Sequence, residues 1–266
     1  MPPFNSIDKQ QLLAYGLRNN QFPNPLFKYT TIPNLQKMLE GSTLKFSRIT
    51  EFNDKRECFA AIDCNCSRTD WANYIAGLNP TMTVPRIAGI VNDLMTHPER
   101  GRQWITQAIK ETNQNLGILC LSKENNIDLM WAHYADTHRG VCLEFDISQD
   151  LDAFCFPKEV IYDNNIRRYN YIKSWNRSKG MDAVEVIFHK SSDWSYEKEY
   201  RVVRIDGAGI VPFNIHALRT IIFGTDTPAD KIADIRALCT RRGYTHIKFC
   251  QRILDDNGNF KIQQLP

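Results

Sequence analysis

The sequence lacks most of the features that assign a protein to a class at sight. No part of its 266 residues approaches the ~20 consecutive apolar residues that a membrane-spanning helix needs, so no membrane is expected as a partner. Its opening residues, Met1 to Ser6, hold neither the basic run nor the apolar run of a secretory signal. Eight cysteines are too few for a disulfide scaffold, and without a signal their thiols are expected to stay reduced in the cytoplasm. Neither sign of charge dominates. Thirty-three Lys+Arg against thirty Asp+Glu leave +3, which gives no overall field for a polyanion. There is no internal repeat and no low-complexity segment. A phosphate-binding loop, a dinucleotide glycine fingerprint, H-E-x-x-H and G-x-S-x-G are all missing. Cys58, Cys64 and Cys66 lack the paired spacing of a zinc site, so no metal is expected.

What remains is a folded chain: 42% apolar, 24% charged and 11% aromatic residues, enough to fill one large core. The order of elements predicts a single α+β domain over 1–266, with a split or strongly twisted, mostly antiparallel sheet and a helical insertion at about 57–115. A short helix is expected over 8–17 and a strand over 26–30. Pro33 suits the start of a helix that Gly41 ends, with Leu35, Met38 and Leu39 on one face. Over 43–49 the alternation puts Leu44 and Phe46 on one side of a strand. Helical spacings of Trp71, Tyr74, Ile75 and Leu78, then Ile87, Ile90, Val91 and Leu94, then Trp104, Ile105 and Ile109, fill the insertion. Further strands are predicted at 117–122, 141–145, 159–162, 194–205, 218–223 and 245–251, and further helices at 128–135, 182–189 and 228–241. The last helix has Thr227 as its expected cap. Asp256-Asn257-Gly258 is a hairpin signal.

Three blocks carry candidate chemistry. The first runs from Trp194 to Val203. Read as one strand, it has Trp194, Tyr196, Tyr200 and Val202 on a core face and Ser195, Glu197, Glu199 and Arg201 on the other. Two carboxylates and a guanidinium on an apolar sheet make a candidate catalytic edge; the plainer reading is a solvated face with a weak Glu–Arg surface pair. The second, Trp131-Ala132-His133-Tyr134 with His138 and Arg139, suits a ring-bearing, phosphate-bearing ligand, or else a core helix with polar tips. The third joins Tyr29, Thr30 and Thr31 to Ser47, Arg48, Asn53 and Asp54; its plainer reading is a turn. Arg167 and Arg168 beside Tyr169, Tyr171 and Lys173 fit a phosphate backbone less well than a solvated loop.

Together the blocks resemble a widespread bacterial family, domain of unknown function 2971, over about 26–224. The segments that carry the likeness are Tyr29, Leu44 to Ser47, Phe52-Asn53-Asp54, Met130 to Ala135, Gly140 to Phe145 and Tyr196 to Arg201. Lys55 stands where that pattern has Pro. More loosely, the order of Tyr29-Thr30-Thr31, Asn34 to Leu44, Gly117 to Ser122 with Tyr134, and Glu199-Tyr200-Arg201 is similar to the ADP-ribosyltransferase fold. Tyr29 stands where that fold usually has His, and no glycine follows it.

That second resemblance implies NAD as substrate, cleaved at the nicotinamide–ribose bond through an oxocarbenium-like state that a carboxylate stabilises. It assigns Glu199 to a ribose hydroxyl and the developing charge, and Glu197 to the acceptor nucleophile. Tyr134 and His133 would bound the nicotinamide, Tyr29 and Thr30 would hold the carboxamide or ribose, and Arg48 and Arg139 the pyrophosphate, with Ser47 beside them. It implies a toxin or phage-defence effector, with a protein or nucleic-acid acceptor and an antitoxin as expected partners. The competing expectations are a non-catalytic ligand- or partner-binding module, and a metal-assisted nuclease using Asp54, His133, Glu197 and Glu199.

Overall fold

The computed structural model describes residues 11, 14–21, 23–54, 57, 61–165, 168–178 and 181–266. Of the expected helix over 8–17, residues 11 and 14–17 are described and helical, whereas Lys55, Cys58 and Arg167 lie outside the described residues. In chain order the strands are β1 (Leu26–Thr30), β2 (Thr43–Phe46), β3 (Ala61–Ile62), β4 (Gly117–Ser122), β5 (Val141–Phe145), β6 (Lys158–Glu159) and β7 (Ile161–Tyr162). They continue as β8 (Arg168–Tyr169), β9 (His189–Lys190), β10 (Glu199–Arg204), β11 (Gly209–Pro212), β12 (Leu218–Phe223), β13 (Lys248–Leu254) and β14 (Phe260–Gln264). The chain is α+β and divides into two compact units, one of residues 1–47, 117–160 and 193–266, the other of 48–116 and 161–192.

The first unit holds an open eight-stranded sheet in the order β14-β13-β12-β5-β1-β4-β10-β6. Its neighbours are antiparallel except β12 and β13. The expectation of a mostly antiparallel sheet holds. It also forks: β1 and β4 share a single register pair, Phe27 with Ser122. One face carries the main core, where Leu26, Leu121, Leu143, Phe145, Val202 and Phe223 meet Leu35 and Leu39 of the helix Ile32–Gly41 and Ile235 of the helix Ala229–Arg241. On the other face Phe27, Tyr29, Cys142 and Ile222 pack on Met130 and Trp131 of the helix Asp128–Tyr134.

That helix ends abruptly. Asp136, Thr137 and His138 all take left-handed backbone conformations (φ 47°, 51° and 66°), each costing a non-glycine residue on the order of 1 kcal/mol. The turn is held by Gly140, where a Cβ would collide with the carbonyl oxygen of Thr30. It returns the chain into β5.

The second unit is mainly helical: Arg68–Leu78, Val84–Thr96, Pro98–Gln114 and Tyr171–Ser178. Ser67 and Asp70 cap the first of these reciprocally, each side chain bonding the other's backbone N–H. Trp71, Tyr74, Trp104, Tyr171 and Trp175 form an aromatic core at ring separations of 5.7–6.3 Å.

Several expected elements differ. The strand over 194–205 is instead a 3-10 helix, Ser192–Glu197, followed by β10. Lys198 is left-handed (φ 48°), and that kink ends the alternation between Glu197 and Glu199. The helix over 182–189 is a 3-10 helix, Met181–Phe188. Pro228, with no side chain able to accept a bond, is the cap in place of Thr227, whose hydroxyl donates to the carbonyls of Arg139 and Gly140. The strand over 245–251 starts later and reaches Leu254, and that over 159–162 is two short pieces, β6 and β7.

Candidate functional site

One row of directly paired residues crosses six strands of the sheet: Lys248, Thr220, Glu144, Phe27, Ser122 and Glu199. Directly paired residues share a face, so this row puts a serine and a carboxylate side by side at its β10 end. Arg201, two residues on in β10, joins them.

Glu199 and Arg201 are 4% and 0% exposed. The guanidinium forks onto the carboxylate, with Nε donating to Oε1 and a terminal nitrogen to Oε2, both at 2.8 Å. Burial draws the Arg201 pKa down to about 9, still far enough above neutrality to keep the cation. The surface ion pair of the plainer reading is therefore a buried one, which a period of two cannot distinguish. Lys28 sits in the fork between β1 and β4, its Nζ donating to the carbonyl of Cys120 at 3.2 Å. Desolvation lowers its pKa, while the Cys120 thiol and the Glu199 carboxylate pull it back up.

Glu197 is 2% exposed, at the end of the 3-10 helix. Its Oε1 accepts from the Tyr134 hydroxyl at 2.6 Å, and its backbone carbonyl accepts from Ser122 Oγ at 2.7 Å. Around Tyr134 stand exposed His133 and half-buried Trp194 and Tyr196, with ring centroids 6.0–6.5 Å apart. The helix that brings His133 and Tyr134 here is anchored by Trp131, fully buried against Tyr29 at 5.4 Å. Arg252, also fully buried, supports it from behind. Its guanidinium lies over Phe260 and Trp131 and bonds Asn126, His138 and Asp128.

The remaining sequence-predicted residues are placed elsewhere or spent on the scaffold. The Tyr29 hydroxyl donates to the carbonyl of Glu124 at 3.0 Å and accepts from the N–H of Ile127, which ties down the approach to the helix. Burial pushes that phenol above its usual range. Thr30 is buried, with its carbonyl against Gly140. Ser47 bonds the backbone of Ile118. Arg139 is exposed and pairs with Asp136 at 3.3 Å. Arg48 and Asp54 belong to the other unit, so neither is assigned to this cluster. The structure thus brings together Glu197, Glu199, Tyr134 and His133.

It adds Ser122 and Lys28, and it corrects Trp194 and Tyr196: read from the alternation as core, they lie half-buried against His133. For Trp194 and Tyr196 the proximity of two aromatics to Glu197 was the available signal. Nothing local marked Ser122 or Lys28. Among the described residues no three His, Cys, Asp or Glu side chains come together as a metal site. No helix among them is long and apolar enough to cross a membrane.

Comparison with the curated proteins and with the solved structures returned no match. A family model does match, over residues 130–202, a span that holds both Trp131 to Tyr134 and Glu197 to Arg201. Across that segment this chain resembles the family described as Protein of unknown function (DUF2971).

Proposed function

We propose that the chain is an ADP-ribosyltransferase-like enzyme that cleaves NAD at the nicotinamide–ribose bond, in the manner of a toxin or phage-defence effector. The observation that carries this reading is the 2.6 Å bond from Tyr134 to Glu197 beneath the open rings of His133, Trp194 and Tyr196. A cationic pyridinium ring is attracted to aromatic faces, and a carboxylate next to it stabilises positive charge developing on the ribose. In the reaction the bond from C1′ of the ribose to the pyridinium nitrogen breaks. The electron pair leaves with neutral nicotinamide, and water or an acceptor nucleophile adds to C1′ as its proton passes to a base. Glu197 is assigned to that charge. Glu199, held by two nitrogens of Arg201, is assigned to positioning Ser122 and Glu197. Arg139 is a pyrophosphate partner only if the ligand reaches the exposed turn. The acceptor, protein or nucleic acid, and an antitoxin are part of this proposal.

A second reading, a ligand-binding module without turnover, is favoured by the 2% and 4% exposure of the two carboxylates. Release of nicotinamide from NAD, with EDTA present, separates the two. The enzyme reading expects release by the intact chain and at least a hundredfold loss in Glu197→Gln. NAD binding seen by calorimetry without release supports the module, and neither heat nor release sinks both NAD readings.

A further inference from the structure

The other end of the same sheet row carries a second arrangement of charge. A cavity of about 390 Å³ opens there, with Glu144, Asp146, Arg219, Thr220, His246 and Lys248 among its walls. That volume lies within the range of small-molecule sites. Glu144, Thr220 and Lys248 are directly paired across β5, β12 and β13, so the two opposite charges stand on one face with a threonine between them.

The surrounding groups differ in what they have left to offer. Asp146 already accepts from Asn24 at 2.9 Å and from the backbone and hydroxyl of Ser148, and Arg219 lies 3.6 Å away. The His246 Nε2 faces two carbonyls, those of Ile215 and Leu218, at 3.1 and 3.0 Å, so it carries the proton and the ring is pinned. Glu144 is half-buried and Lys248 exposed, and among the described residues neither side chain has a hydrogen-bond or ion-pair partner. Two strand spacings set their backbones about 10 Å apart. The Glu144 oxygens are not among the buried atoms left without a partner, so they stay open to the cavity and to whatever enters it.

We propose that this cavity takes a short peptide by its two charged ends, the ammonium on Glu144 and the carboxylate on Lys248, with Thr220 bonding the backbone between. An extended dipeptide spans about 7 Å, which the two inclined side chains can bridge, whereas the ends of a single amino acid lie about half as far apart. The inference is independent of the NAD reading, because it uses none of the residues around Tyr134.

The test is calorimetric titration of the whole chain with Ala-Ala, its N-acetylated form, its C-terminal amide, and alanine. Ala-Ala is expected to bind at least tenfold more tightly than each of the other three. In Glu144→Gln the advantage over the acetylated form disappears while that over the amide remains; Lys248→Gln shows the reverse. Among the described residues neither side chain has a hydrogen bond or ion pair to lose, so both variants keep the wild-type melt. No heat with Ala-Ala at millimolar concentration overturns the proposal, as do equal affinities for the blocked peptides or variants that bind like wild type. Alanine binding as tightly as Ala-Ala overturns the assignment to a peptide.

Discussion

The two ends of one sheet face handle charge in opposite ways. At β10 the charges close on one another: Arg201 is fully buried and both its bonds to Glu199 are made within the strand. At β5, β12 and β13 the charges face a cavity and leave Glu144 and Lys248 without a partner among the described residues. The contrast shows that residue type is a poor guide to role. A carboxylate beside an arginine holds the sheet in one place, and a carboxylate opposite a lysine is available to a ligand in the other.

The largest test breaks the closed end. Arg201→Met takes the forked guanidinium away from buried Glu199, and is expected to cost about 3–5 kcal/mol in denaturant unfolding. Glu199→Leu combined with Arg201→Met should recover most of that loss. If the single variant loses less than about 1 kcal/mol, the end is not closed and the comparison fails. Glu199→Gln belongs to the same test and should cost more than about 2 kcal/mol, since it removes the charge that accepts two bonds from buried Arg201.

A smaller effect is expected at the rim. Tyr134→Phe removes the hydroxyl that donates to buried Glu197, with a loss of about 1–2 kcal/mol. A loss no greater than that, together with a strong fall in nicotinamide release, would mark the bond as functional more than structural.

Acid sharpens the open end. Burial alone would raise the Asp146 carboxyl, but bonds from Ser148 and Asn24 and the Arg219 cation outweigh it and lower the pKa. A folded pKa below the unfolded one adds stability above the unfolded value and loses it as pH falls through the folded value. Stability should therefore drop below about pH 4, and Asp146→Asn should flatten that part of the curve. Lys28 has the opposite consequence. Its folded pKa is lowered, so the folded state binds fewer protons and stability rises as pH climbs toward 10.5; Lys28→Met should remove that slope. Smallest of all, Lys248→Gln should change stability by less than about 0.5 kcal/mol, because the side chain is exposed and has no hydrogen-bond or ion-pair partner among the described residues.

Much of this was legible along the chain where a local period governs. The alternation of Leu44 and Phe46 placed them in the core, the spacing of Leu35, Met38 and Leu39 gave a buried helix face, and Asp256-Asn257-Gly258 marked the β13–β14 turn. Glu199 and Arg201 were read as sharing a face, which they do. Glu197 was read onto the same strand, and the left-handed Lys198 removes it from that register. No local pattern announces such a kink at a lysine, because the backbone energy it costs is repaid by bonds to a distant strand: Ser122 to the carbonyl of Glu197, and Lys123 to that of Lys198.

By itself, then, the sequence determined the local choices: which residues form helix or strand, which face of each is apolar, and that Trp131 and its neighbours stand together. Only the tertiary structure decided which strands are adjacent. Ser122 and Glu197 are 75 residues apart, and Glu144 and Lys248 lie on strands separated by a third. Whether a charge ends up buried and paired or open to a cavity depends on what those distant strands bring beside it. Desolvation and Coulomb attraction act between neighbours in space, and a one-dimensional pattern carries no record of them.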